Sequence, residues 1–139
     1  MPMGAPGGAP PGDGPSATRT ILVVEDDPAL AELLGAALND VPGWRATVVG
    51  DAAAAVALCQ QVRVDVLVTD VQLPGISGLE LLGLLADVPG GAPPALLLCA
   101  GGRPPGLPAA LASGAAVGFL RKPFDLDDLL ARVAAVGPP

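Results

Sequence analysis

The chain has 139 residues, enough for one domain with a packed core and too few for two of ordinary size. Fourteen acids against seven bases give a net charge of −7, and the arginines are not clustered, so this chain alone is not expected to bind nucleic acid. No run of 18 apolar residues exists to span a membrane, and the lack of histidine removes imidazole triads, His-ligated zinc and an internal phosphohistidine.

Residues 1–18 carry five Pro and five Gly with almost no bulky apolar side chain, the composition of a disordered tail. They lack the basic start and apolar segment of a secretory signal. One domain is expected over 19–136, with 137–139 as a short C-terminal end. Cys59 and Cys99 fit no metal or redox spacing and read as buried thiols of a cytoplasmic protein.

From residue 19 short apolar runs alternate with helix-period segments, the signature of repeated βα units and a parallel sheet. Strand one covers about 20–26. Asp27 then suits an N-cap with Pro28 at the first helical position, where its missing N–H costs nothing. Leu30, Leu33, Leu34, Ala37 and Leu38 form the apolar face of helix one. Asn39 and Pro42-Gly43 stop it. Strand two is 44–49, and Asp51 caps an alanine-rich helix two to about 61. Strand three is 64–69 and ends at Asp70. After a loop, Ser77-Gly78-Leu79-Glu80 reads as a capping box opening helix three. Strand four is 95–99. Residues 101–108 form a proline-rich segment that becomes helical only at Pro108, the expected first residue of helix four. Strand five is 117–120. Asp125, with Asp128 three residues on, caps helix five, whose apolar face includes Leu129, Leu130, Val133 and Val136.

In an open doubly wound sheet, ligands sit at the carboxyl ends of the strands. Glu25, Asp26, Asp70 and Lys122 all fall there. Carboxylates gathered at one sheet edge repel one another unless a cation joins them. Magnesium suits that role, because it takes oxygen ligands and keeps waters for a phosphate. Asp70 would then be a nucleophile able to accept a phosphoryl group as an acyl phosphate. Lys122 is the only lysine of the chain, and a compact ammonium suits one phosphoryl oxygen. Each residue alone has a plainer explanation: a helix cap for Asp26 or Asp27, a turn for Asp70, a solvated loop for Lys122, core for Phe119. Their joint placement on strands one, three and five points to phosphoryl chemistry.

Ile21-Leu22-Val23-Val24-Glu25-Asp26-Asp27, Asp70-Val71-Gln72-Leu73-Pro74-Gly75-Ile76-Ser77-Gly78 and Lys122-Pro123-Phe124 resemble the receiver domain of bacterial two-component response regulators, over about residues 19–136. The resemblance implies a flavodoxin-like α/β fold, a five-stranded parallel sheet in order 2-1-3-4-5 with helices on both faces. It implies that Glu25 and Asp26 hold Mg2+, that Gln72 offers its backbone carbonyl to the metal, and that Asp70 is the phosphoacceptor. Lys122 would contact the phosphoryl group, while Phe119 and Cys99 take the switch positions. Asp27 has no pocket role in the family.

Three departures bear on output. Cys99 stands where the family has Thr or Ser, and a thiol is a weak donor. Residues 101–108 are proline-rich where the family keeps a switchable loop and helix. The stretch 114–122 is one residue longer than the family pattern. The expected function is a phosphoacceptor signalling domain, not a turnover enzyme. It would be charged by a histidine kinase or phosphotransfer protein and act on an unknown downstream protein, with no effector domain after Pro139. The alternative is a degenerate receiver that binds partners without phosphoryl control. A phosphatase of the haloacid dehalogenase type would need a second acid at position 72, where Gln72 stands.

Overall fold

The structure is a computed structural model, described here for residues 18–136; most of the expected tail and the 137–139 end lie outside the described residues. Five parallel strands, β1 Arg19–Val24, β2 Trp44–Val49, β3 Val66–Asp70, β4 Ala95–Cys99 and β5 Ala116–Arg121, form one sheet in the order β2-β1-β3-β4-β5. The crossovers are α1 Pro28–Asn39, α2 Ala52–Gln61, α3 Gly78–Leu84, α4 Leu107–Ser113 and α5 Leu126–Ala135. The fold and strand order expected from the sequence are those observed. No helix among the described residues is long and apolar enough to cross a membrane.

The apolar strand runs are explained by burial on both faces. Ile21, Val23, Val66, Val68, Leu96 and Leu98 pack with Leu34 and Leu38 of α1 and Leu129 and Val133 of α5. Their alternates Leu22, Val24, Leu67 and Leu97 pack against α2, α3 and α4 on the other face. Each buried Leu or Val contributes about 1.5–3 kcal/mol.

Strand ends differ from the sequence expectation by one or two residues. β1 stops at Val24, so Glu25 and Asp26 lie beyond it; β3 starts at Val66 and includes Asp70; β5 runs from Ala116 to Arg121. Leu33 was expected on the core face of α1 but is 52% exposed. Leu30, Leu34 and Leu38 repeat every four residues toward the sheet and leave Leu33 on the helix shoulder. Helix α4 starts at Leu107, one residue before Pro108, behind Gly106 at φ 89°. Val136 lies just past α5 as its C-cap, still packed against the core.

The pairing of β4 with β5 contains a β-bulge. Ala95 pairs with Ala116, but Leu96 pairs with Gly118, so Val117 is skipped. A one-residue insertion would otherwise send every later side chain to the wrong face. The bulge keeps Phe119 beside Leu97 and Leu120 beside Leu98, and leaves Val117 49% exposed.

On the opposite edge, β2 is partly closed by a side chain. The Asn39 amide donates to the Ala46 carbonyl at 3.1 Å, and its carbonyl accepts the Ala46 N–H at 2.8 Å. Asn39 ends α1, as its sequence suggests, but its carboxamide also takes the place of a neighbouring peptide group.

Candidate functional site

Three local devices bring the carboxyl ends of β1, β3 and β5 to one rim. The Asp27 side chain accepts the Ala29 N–H at 3.0 Å, with Pro28 behind it, so the chain turns into α1 directly after Glu25 and Asp26. Ser77 and Glu80 form the reciprocal capping box, at 2.9 and 3.1 Å, that starts α3 after the 72–77 loop. Gly78 follows, and a Cβ there would run into the Asp70 carbonyl oxygen. Asp125 caps α5 by accepting the Asp127 N–H, not through Asp128. The Lys122 N–H donates to the Cys99 carbonyl at 2.7 Å, and the Lys122–Pro123 bond is cis.

At this rim Glu25, Asp26, Asp27, Asp70, Gln72, Leu73, Pro74, Ala100 and Lys122 line one pocket. The Lys122 ammonium lies 2.6 Å from Asp70 Oδ1 and 3.1 Å from Glu25 Oε1. Glu25 Oε2 accepts the backbone N–H of Asp27 at 3.0 Å, so both oxygens of this buried carboxylate are engaged. Asp27 is thus a cap, as expected, and its backbone also steadies the pocket. Carboxylate oxygens of Glu25, Asp26 and Asp70 lie within 4.8 Å of one another. Glu25 and Asp70 are buried and Asp26 is exposed, so the cluster is open to solvent on one side.

Asp70 is 4% exposed, and burial together with the neighbouring Glu25 carboxylate pushes its pKa up to about 7, against the opposing pull of Lys122. Burial alone would lower the Lys122 pKa, but its bonds to Asp70 and Glu25 outweigh that and raise it. The ammonium therefore stays charged while the carboxylates beside it are short of compensating positive charge. That imbalance, with an all-oxygen donor set open on one side, fits a hard divalent cation.

Cys99 is the last residue of β4, whereas Phe119 lies inside β5, opposite Leu97, and neither lines the pocket. Cys99 is buried, and burial followed by the Asp70 charge raises its pKa, so it is a neutral thiol. Phe119 packs against the α2–α3–α4 side of the core, and the Arg103 guanidinium lies over its ring, 5.2 Å from the centroid. The Arg103 contact was missed in the sequence, because 16 residues separate the partners and only the fold joins them. Leu73 and Pro74, read in the sequence only as part of the motif after Asp70, also line the pocket, next to the Gln72–Ser77 bridge that folds the loop back.

Residues 21–134 match the family model described as the response regulator receiver domain. The chain is 40% identical over 116 residues to the transcriptional regulatory protein TcrA of Mycobacterium tuberculosis, covering 84% of this chain and 45% of that protein. It is 36% identical over 117 residues to the DNA-binding response regulator MtrA of Mycolicibacterium smegmatis, covering 84% and 50%. The chain thus spans about half the length of the curated relatives it matches. Among solved structures, the chemotaxis response regulator CheY4 of Vibrio cholerae aligns with a TM-score of 0.75 at 27% identity, covering 86% of this chain and 99% of that one. The response regulator TrrA of Thermotoga maritima, solved in complex with Mg2+–BeF, aligns with a TM-score of 0.70 at 28% identity, covering 86% and 99%.

Proposed function

Because the chain belongs to the response regulator receiver domain family, we propose that its 19–136 domain takes a phosphoryl group onto Asp70 from the phosphohistidine of a histidine kinase or phosphotransfer protein. The N–P bond of the donor breaks, an O–P bond to the Asp70 carboxylate forms, and the imidazole leaves. The observation that carries this reading is the Asp70–Lys122–Glu25 arrangement, with Asp26 beside it. Asp70 is the acceptor. Lys122 stays close enough to pair with a phosphoryl oxygen in place of the charge lost from Asp70. Glu25, tied to the Asp27 N–H, holds the ammonium on the pocket side.

Asp26 and Asp70, with Glu25 and the Gln72 backbone carbonyl, would hold Mg2+. The ion would neutralise the non-bridging oxygens of the group being transferred. Output would pass through protein–protein contact, and the domain acts on itself without turning over a free substrate. Incubation with acetyl phosphate and Mg2+ should add one phosphoryl mass that is acid-stable for minutes, base-labile and absent in Asp70→Asn. No such adduct on the folded wild type would overturn the reading.

Cys99 favours a second reading, partner binding without phosphoryl control. A neutral buried thiol donates a poor hydrogen bond, so a bound phosphoryl group would be weakly sensed. Beryllofluoride with Mg2+ separates the two: amide shifts reaching Phe119 and Arg103 support coupling, while shifts confined to the pocket support the uncoupled module.

A further inference from the structure

The 72–77 loop has two sides. Pro74 lines the ionic pocket on one side and, on the other, a groove of about 570 Å³ between this loop and α2. The groove is formed by Ala52, Ala53, Val56, Pro74, Ile76 and Leu84, with Gly75 at its lip and Asp51 at one end. Helix α2 has no charged side chain, and Leu84 at the end of α3 is 54% exposed. Among the described residues, α2 and α3 pack on the sheet with their other faces. Concave apolar surface of this kind is where a bulky side chain gains most on docking.

Charge selects the occupant. Asp51 is exposed, with one oxygen accepting the Ala54 N–H, and it is the charged side chain lining the groove. Among the described residues none of the seven bases lines it, and across the Pro74 wall stand Asp26, Asp27 and Asp70. We propose that the groove between α2 and the 72–77 loop is a docking site for a protein segment that presents one bulky apolar or aromatic side chain flanked by Lys or Arg. A second copy of this chain fits poorly, since it brings a further −7 charge and no base on this face to meet Asp51. The inference does not depend on phosphoryl chemistry.

The test uses isotope-labelled full chain titrated with the capped peptide Lys-Trp-Lys and its counterpart Glu-Trp-Glu, followed by amide shifts. The expected shifts from Lys-Trp-Lys centre on Ala53, Val56, Ile76 and Leu84. Glu-Trp-Glu should bind about fivefold or more weakly, the scale of a lost exposed ion pair together with added repulsion. Asp51→Asn keeps the helix cap and should shrink that ratio, while Ala53→Arg, at an exposed helical position, should abolish the groove shifts with the rest of the spectrum unchanged. Shifts centred on Asp26 and Asp70 or on Asp125 to Asp128, equal affinity for both peptides, or no shift at millimolar peptide would each overturn the proposal. So would a doubled mass in sedimentation that Ala53→Arg reverses, which would give the groove to a second copy.

Discussion

Replacing Asp70 by asparagine should make the metal-free domain more stable at pH 8, although it removes the group on which the proposed chemistry depends. The Asp70 carboxyl is buried and titrates near 7, against an ordinary value of 3.8. A folded-state pKa above the unfolded one means that the proton is held more tightly in the fold. Ionising Asp70 therefore costs stability, and the cost grows as pH rises from about 4 to about 7. Three units at about 1.4 kcal/mol each set a ceiling of about 4 kcal/mol. An amide fits the carboxyl site imperfectly, so the expected gain for Asp70→Asn is on the order of 1–3 kcal/mol above pH 7. Urea unfolding in chelator between pH 4 and 8.5 measures it: the two proteins should converge near pH 4 and separate through pH 7. Added Mg2+ should raise the wild type toward the variant and leave the variant nearly unchanged. A variant less stable than wild type at pH 8 in chelator, or a gap independent of pH, would refute the electrostatic argument.

Lys122→Met should have the opposite sign. It leaves Asp70 and Glu25 without their ammonium, and a loss of about 3 kcal/mol at pH 8, shrinking below pH 7, should appear in the same unfolding series. Gly78→Ala sets a methyl against the Asp70 carbonyl, backbone against side chain with no flexible end to yield, and thermal unfolding should show a loss of about 2–3 kcal/mol. Deleting Val117 should be tolerated within about 1 kcal/mol, because it removes the bulge and leaves Phe119 and Leu120 on their present faces; a loss above about 3 kcal/mol would contradict the register assigned to β5.

What could be read in the sequence was what is decided locally or by burial. Asp27-Pro28 and Ser77 to Glu80 announce helix starts because their partners lie two or three residues away. The unbroken apolar strands announce a two-sided sheet, and a parallel sheet forces its strand-end acids and Lys122 to one rim. The likeness to the receiver family then supplied the strand order, which alternation alone does not determine. Features made by distant partners were not legible. The bulge at Val117 was one of these, because its placement depends on which residues must keep facing the core. Leu33 looked like core because a helical period cannot tell how wide a stripe the sheet will cover. Arg103 over Phe119 needs the 101–106 loop to fold back across β5.

The Asn39 carboxamide has a bearing on how this molecule behaves when crowded. The outer margin of β2 would otherwise offer its backbone groups to any passing extended chain, the first rung of an intermolecular ladder. At Ala46 that rung is already occupied from within. The cover is one residue long, and it removes the middle rung of the ladder that a neighbouring strand would build on β2.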